Sequence, residues 1–163
     1  MKRLILLIIG LLNFAVCQGQ SDYVILKDQS IIHDLISTYK ILPEAMLATE
    51  LSEAEFNLAK KISLKTIEDY NTKVNEGFKK RGESRRYAKM YQIRDLKNYK
   101  IQYVPYLNEK REKEIWINGF CDSFNKDWRK EIIHVFDGGN CYFTIRLNLL
   151  TGECIAVGTN GYA

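Results

Sequence analysis

The chain has 163 residues, of which 24 are Lys or Arg, 20 are Asp or Glu and only two are Pro. The low proline content and the ordinary apolar fraction exclude a disordered or low-complexity chain. A net charge of +4 does not by itself indicate a nucleic-acid or membrane partner. The length is that of one domain with a hydrophobic core of its own.

The N-terminus is typical of a secretory signal peptide. Lys2 and Arg3 stand directly before a run of apolar residues that ends near Val16. This run is shorter than the roughly 20 residues that a membrane-spanning helix needs, so we expect no stable membrane span. We predict that residues 1–19 are removed and that residues 20–163 form a single secreted or periplasmic domain.

The position of the cleavage decides the fate of Cys17. Small residues fit cleavage after Cys17 or after Gly19, and both cuts discard this cysteine. The alternative is cleavage before Cys17 and a lipid anchor on its thiol, for which Phe14 and Val16 are a poor match.

The clearest helix signal lies around Ser52. Ser52 and Glu55 have the spacing of a capping box, and Leu51 and Phe56 have that of a hydrophobic staple. Apolar residues then recur every three to four positions, which predicts an amphipathic helix of about 25 residues that ends near Gly77. Upstream, residues 20–50 are predicted to form an N-terminal arm or a short helix.

After about residue 99 the apolar period changes from about 3.6 to 2, which indicates strands joined by turns. The predicted strands are residues 101–106, 115–117, 131–136, 141–149 and 153–159. A helix followed by such strands predicts an α+β fold: a long amphipathic helix packs on a four- to five-stranded antiparallel meander sheet. The other face of the sheet can then be exposed to water.

Four segments resemble uncharacterised small secreted proteins of Gram-negative bacteria. They are residues 101–106, 116–121, 137–143 and 159–163, so the resemblance covers about the last 65 residues. It implies secretion and this type of fold, and it brings no known activity. The order of helix and strands is also similar to that of cystatin-like and PepSY-like proteins, which is a likeness of fold alone.

Three cysteines remain after the predicted cleavage: Cys121, Cys141 and Cys154. A disulfide between Cys121 and Cys141 is typical of an oxidising compartment and requires their two strands to pair in the register that sets Ile117 against Ile145. In a plain meander the 131–136 strand separates the two cysteines, and the thiols are buried. A reactive thiol is the third alternative.

No catalytic set is visible in the sequence. His33 and His134 lie in no recognisable motif, and neither has the Cys or carboxylate spacing of a zinc site, so we predict no metal and no cofactor. The segment Asp137 to Asn140 is rich in glycine, but it leads into a strand and not into a helix. We therefore predict a hairpin turn there and no phosphate loop.

One segment is strongly basic. Between residues 79 and 100, nine bases face two acids, and tyrosines interleave with the bases. Basic and aromatic residues together are typical of surfaces that bind anionic partners, whereas the alternative is a solvated linker screened by salt. The candidate ligand-binding residues are Lys79, Lys80, Arg81, Arg85, Arg86, Tyr87, Lys89, Tyr91 and Arg94.

Two hypotheses of function follow. The first is a secreted or periplasmic, non-enzymatic binding module that contacts a protein or an anionic envelope component through the basic segment, and does not bind nucleic acid. The second is a cystatin-like inhibitor of secreted proteases, prompted by the order of elements and by the run from Gln102 to Val104, although no glycine follows that run. A thiol-based enzyme is a third and weaker hypothesis.

Overall fold

The computed structural model describes residues 22–161, so the predicted signal peptide and Cys17 lie outside the described residues. Within residues 22–161 there are three α-helices: α1 (Gln29–His33), α2 (Glu53–Lys80) and α3 (Arg85–Tyr91). The same described residues form six strands: β1 (Tyr23–Ile25), β2 (Leu47–Ala48), β3 (Lys100–Leu107), β4 (Lys113–Phe120), β5 (Tyr142–Asn148) and β6 (Cys154–Thr159). No helix among the described residues is both long enough and apolar enough to cross a membrane.

Helix α2 begins where the sequence predicts. The backbone N–H of Glu55 donates to Ser52 Oγ at 3.3 Å, and the backbone N–H of Ser52 donates to Glu55 Oε2 at 2.8 Å, which completes the capping box. Glu55 also accepts from Lys113 Nζ at 2.6 Å, which fixes the start of the helix to β4.

The helix ends later than predicted. It continues past Gly77 to Lys80, and the chain turns at Gly82, whose φ is +70°. The N–H of Gly82 donates to Lys79 O and the next N–H donates to Phe78 O, the two bonds of a Schellman motif. The glycine that stops α2 is therefore Gly82, because it alone of the two takes the left-handed conformation.

The sheet is mixed, with the strand order β1-β3-β4-β5-β6 and with β2 paired to the end of β3. Strand β1 runs parallel to β3, and every other pairing is antiparallel. The α+β class, the long helix and the hairpin of β3 and β4 are confirmed. The purely antiparallel, four- to five-stranded meander is wrong, because β1 and β2 are too short to show an alternating pattern in the sequence.

The segment 131–136, predicted as a strand, is not one. Strand β4 pairs directly with β5 from Phe120 and Tyr142 to Glu114 and Asn148, and the chain between them forms a long loop. The predicted hairpin turn at residues 137–140 is therefore wrong as well.

Two buried amides explain why that loop does not need strand partners. Gln102 Nε2 donates to the carbonyls of Trp128 (2.7 Å) and Glu131 (2.6 Å), and Gln102 Oε1 accepts from the N–H of Ile133 (3.2 Å). Asn118 Nδ2 donates to Ile133 O at 2.7 Å and to Gln102 Oε1 at 2.9 Å. The loop backbone thus satisfies its hydrogen bonds with side chains of the sheet.

Both faces of the sheet are covered. Helix α2 packs on one face, where Ala59 is fully buried. The N-terminal segment packs on the other face, where Ile32 and Leu35 contact the cluster that contains Val104 and Trp116. The expectation that this face is exposed to water is wrong, since β3 and β4 carry apolar residues in both phases of the strand.

The two cysteines of the central strands lie together. Strands β4 and β5 pair Ile117 with Ile145, and just beyond them a disulfide joins Cys121 to Cys141, with the Cα atoms 5.2 Å apart. Cys154 is a half-buried free thiol whose pKa is raised by burial, which disfavours the reactive thiolate.

Candidate functional site

The basic residues of the predicted segment gather where the end of α2 meets α3. We call this surface the basic corner. It is formed by Lys79, Lys80, Arg81, Arg85, Arg86 and Lys89, all of which are exposed.

The cations of the basic corner are mostly unpaired. Arg81 forms an ion pair with Glu83. The other five form no ion pair with any residue in the described range, 22–161. A cluster of like charges with one compensating carboxylate creates a positive potential at the surface.

Aromatic rings lie beside these cations. The Arg81 guanidinium lies 4.4 Å from the centroid of the Phe78 ring, and the Tyr91 ring packs against the same Phe78 with centroids 5.4 Å apart. Tyr87 projects from α3 with 57% of its surface exposed, and Met90 is 37% exposed. The corner therefore offers apolar contacts as well as charge.

Two recesses open at the corner, and Phe78 lines both. One, of about 500 Å³, is lined in part by Lys79, Arg85 and the buried Ala88. The other, of about 710 Å³, is lined in part by Phe78 and Tyr87 and runs from α3 toward β6.

Asn140 holds the end of α3 in place. Its Nδ2 donates to Lys89 O at 3.0 Å and to Gln92 O at 2.7 Å, and its Oδ1 accepts from an Arg94 guanidinium N–H at 3.0 Å. The Tyr99 hydroxyl donates to Asn140 O at 2.6 Å. This nearly fully buried asparagine ties the carbonyls that end α3 to the start of β5.

A second amide fixes the chain just beyond α3. Asn71 of α2 donates from Nδ2 to Ile93 O at 2.8 Å and accepts at Oδ1 from the Ile93 N–H at 2.9 Å. Through these two amides, α3 and the chain after it are bonded to α2 and to the residues before β5, so this part of the basic segment is not a solvated linker.

The nine candidate residues divide into two groups. Seven of them, the six cations of the corner and Tyr87, are exposed around the junction of α2 and α3. The remaining two support that surface: Tyr91 is half-buried on Phe78 and its carbonyl accepts from the Thr159 hydroxyl at 3.3 Å, and Arg94 bonds to Asn140.

The supporting residues Phe78, Asn71 and Asn140 escaped sequence reasoning. Phe78 follows Gly77, the predicted helix end, and Asn140 lies in the predicted hairpin turn. No local pattern in the sequence marks these three side chains as supports.

The two histidines lie away from these elements. His134 lies between the rings of Tyr39 and Phe136, with centroids 4.8 and 4.7 Å away, and burial lowers its pKa. The His33 ring lies 3.4 Å from the Ser37 hydroxyl. Among residues 22–161, no group of three or more His, Cys, Asp or Glu side chains is placed to hold a metal ion.

The chain matches no protein-family model, no curated protein and no solved structure.

Proposed function

We propose that this chain is a secreted or periplasmic binding module without catalytic activity, and that its basic corner binds an anionic component of the cell envelope. The carrying observation is that five exposed cations without an ion-pair partner among the described residues cluster at the junction of α2 and α3, where the amides of Asn71 and Asn140 hold the chain. The relevant ligands carry phosphate or carboxylate groups, as anionic lipids and acidic glycans do.

The cations explain the affinity that such a surface would have. Each Lys or Arg close to an anionic membrane surface contributes about 1 kcal/mol, so five together suffice for reversible attachment. The same cations contribute little to the folded state: Lys79 and Lys80 lie in the last turn of α2, where positive charge is mildly favourable, and none of the five forms an ion pair with a described residue.

The two amides that hold α3 and the chain after it explain why binding would cost little conformational entropy. Asn140 and Asn71 hold α3 and the chain after it before any ligand arrives. A pre-organised surface loses less conformational entropy on binding than a linker with the same charges. Tyr87 and Met90 would lie at the level of the headgroups, where amphipathic rings and apolar chains are favoured.

The location is supported by two features of different kinds. The N-terminal residues have the pattern of a signal peptide. The Cys121–Cys141 disulfide is consistent with an oxidising compartment outside the cytoplasm.

The experiment is a salt titration of binding to liposomes. Mature protein is mixed with vesicles of pure neutral lipid or of neutral lipid with 30% anionic lipid, and sedimentation measures the bound fraction, with about 0.05 M salt as the low-salt condition. We expect binding only to the anionic vesicles, and at least about tenfold weaker binding at about 0.5 M salt. Affinity that does not change with salt, or equal binding to neutral vesicles, contradicts the electrostatic proposal.

The inhibitor hypothesis receives no support from the geometry. The run that prompted it, Gln102 to Val104, lies in the central strand β3 and is buried along its whole length. These side chains are not available to a protease.

A further inference from the structure

Arg146 of β5 carries a buried hydrogen-bond donor that the fold does not use. Arg146 pairs with Trp116 of β4, on the face of the sheet that the N-terminal segment covers, and 23% of its side chain is exposed. Its Nε atom is buried and has no hydrogen-bond partner among residues 22–161. Buried polar atoms in folded proteins are nearly always hydrogen-bonded, so an exception of this kind needs a physical explanation.

Glu114, the acid beside Arg146, is satisfied by other donors. The Tyr106 hydroxyl donates to Glu114 Oε2 at 2.7 Å, and Asn108 Nδ2 donates to Glu114 Oε1 at 2.7 Å. Arg146 Nη2 lies 3.6 Å from Glu114 Oε2, which is too long for a hydrogen bond. The charge of Glu114 therefore attracts Arg146, but the guanidinium keeps its Nε–H for a further acceptor.

A recess opens beside Arg146. It has a volume of about 320 Å³ and lies between the segment 43–46 and the turn that joins β3 to β4. The side chain of Asn108 orders this turn, because its Oδ1 accepts from the backbone N–H groups of Lys110 (2.9 Å) and Glu112 (3.0 Å). The wall of the recess is thus formed before a ligand arrives.

The charges of the lining restrict the kind of ligand. Two acids and two bases line the recess: Glu109, Glu114, Lys110 and Arg146. Because these charges cancel, the recess has no net attraction for a polyanion such as phosphate. A guanidinium binds a carboxylate through two parallel N–H···O bonds, and the unused Nε–H of Arg146 is available for one of them. A carboxylate with a single charge is therefore the best match.

We propose that this recess binds a small organic carboxylate, whose charged group accepts from Arg146 Nε and whose apolar body contacts Pro43 and Met46. The two apolar residues belong to the same lining as Arg146. The proposal does not depend on the basic corner, since the recess lies at the Leu107 end of β3 and the chain from α3 enters β3 at Lys100.

The probe is benzoate, which is titrated into isotope-labelled mature protein at a constant ionic strength of about 0.15 M. Nuclear magnetic resonance follows the Nε–H signal of Arg146. We expect the shift of this signal to saturate with a Kd of about 1 mM or lower, which is reasonable for so small a ligand. A shift that shows no saturation up to about 20 mM benzoate overturns the proposal.

Two further compounds separate the charge of the probe from its ring. Benzyl alcohol has the ring without the charge, and inorganic phosphate has the charge without the ring. We expect each to bind at least about tenfold more weakly than benzoate. Equal affinity for benzyl alcohol would indicate an apolar site, and equal affinity for phosphate would indicate an unselective anion site. Either result overturns the proposal.

Substitution of the protein gives the second arm. Arg146→Lys keeps the charge beside Glu114 but removes the Nε–H, and with the backbone N–H of Lys110 as the signal we expect at least about tenfold weaker binding of benzoate. Arg129→Lys is the matched control, because Arg129 is also half-buried and lies over the Trp128 ring, and its Kd should stay within about threefold of the parent. Undiminished binding by Arg146→Lys overturns the proposal. Should this variant fail to fold, benzoate against benzyl alcohol in the parent decides.

The recess and the basic corner can be tested separately. The double variant Arg85→Glu, Arg86→Glu should bind benzoate within about threefold of the parent, because the salt screens the distant charges. A loss of about tenfold or more in this variant would place benzoate at the basic corner and overturn the proposal. Arg146→Lys should leave liposome binding unchanged, so either proposal can fail while the other stands.

Discussion

Polar groups are buried and hydrogen-bonded at the centre of the sheet, whereas they are exposed and mostly without ion-pair partners among the described residues at the basic corner. At the centre, Gln102 and Asn118 are almost fully buried, and their side-chain amides are hydrogen-bonded. At the corner, five cations are exposed and have no ion-pair partner among the described residues. Buried polar groups of the first kind help to determine the fold, whereas exposed charges of the second kind contribute little to stability and serve binding under the proposed function.

The largest loss of stability is expected from Gln102→Leu. It leaves two loop carbonyls, the N–H of Ile133 and an amide N–H of Asn118 without their partner in a dry interior. We expect a cost of about 3–4 kcal/mol in the free energy of unfolding, measured by urea denaturation. Gln92→Leu, which removes one half-buried bond of 3.3 Å, is the matched control and should cost about 1 kcal/mol or less. Equal costs would show that the amides of the sheet do not hold the loop.

Loss of the disulfide is expected to lower the free energy of unfolding by slightly less than Gln102→Leu does. Replacing Cys121 and Cys141 together by Ser opens a loop with a sequence separation of 20, which is worth about 3 kcal/mol through the entropy of the unfolded chain. Urea denaturation of the double variant measures the loss. Cys154→Ser changes a half-buried thiol outside this loop and should stay within about 1 kcal/mol of the parent. A double variant as stable as the parent would contradict the prediction.

Close packing at the centre predicts a smaller loss for Gly119→Ala. A Cβ atom at Gly119 would lie 2.0 Å from the ring of Phe143 on the paired strand, so the ring or the backbone must move. The expected cost is about 1–3 kcal/mol, read from the thermal midpoint and from urea denaturation. Gly158→Ala is the control, because nothing lies within 4 Å of the added atom there. A larger cost at Gly158 than at Gly119 would refute this account of the packing.

The smallest loss of stability is expected at the start of α2, and its size depends on pH. The Lys113 ammonium and the Ser52 N–H lower the pKa of Glu55 from 4.5 to about 2 in the folded protein. Because the folded pKa lies below the unfolded one, the stability that Glu55 contributes is present above about pH 4.5 and is lost as the pH falls toward 2. Glu55→Gln should therefore cost about 1 kcal/mol at pH 7, and the difference from the parent should vanish near pH 2. A difference that is the same at both pH values would contradict the assigned pKa.

The sequence predicted those parts of the fold that local patterns determine. The capping box of Ser52 and Glu55 and the hairpin of β3 and β4 depend on residues close in the chain and on strict alternation, whereas the register that sets Ile117 against Ile145 is only one of the alternatives that the sequence leaves open. The second covered face escaped prediction although a signal existed. Val104 and Trp116 are apolar in the phase that was assumed to face water.

The features that could not be predicted depend on hydrogen bonds between residues that are far apart in the sequence. The apolar residues of 131–136 resemble a strand, and only the amides of Gln102 and Asn118, distant in sequence, satisfy that backbone as a loop. In the same way the charge of the basic corner was visible in the sequence, but its support by Asn140 was not. The composition of the sequence shows that residues 79–100 are basic, but only tertiary contacts decide whether those residues are held in one arrangement.

The most direct measurement compares two charge-reversed proteins in binding to anionic liposomes. One carries Arg85→Glu and Arg86→Glu at the basic corner. The other carries Lys61→Glu and Lys65→Glu on the exposed side of α2, which changes the net charge by the same amount. We expect the corner variant to bind at least about tenfold more weakly than the parent, and the α2 variant to bind within about threefold of it, with both folded by circular dichroism. Equal losses in the two variants would show that net charge alone attracts the protein, and undiminished binding by the corner variant would contradict the proposed site.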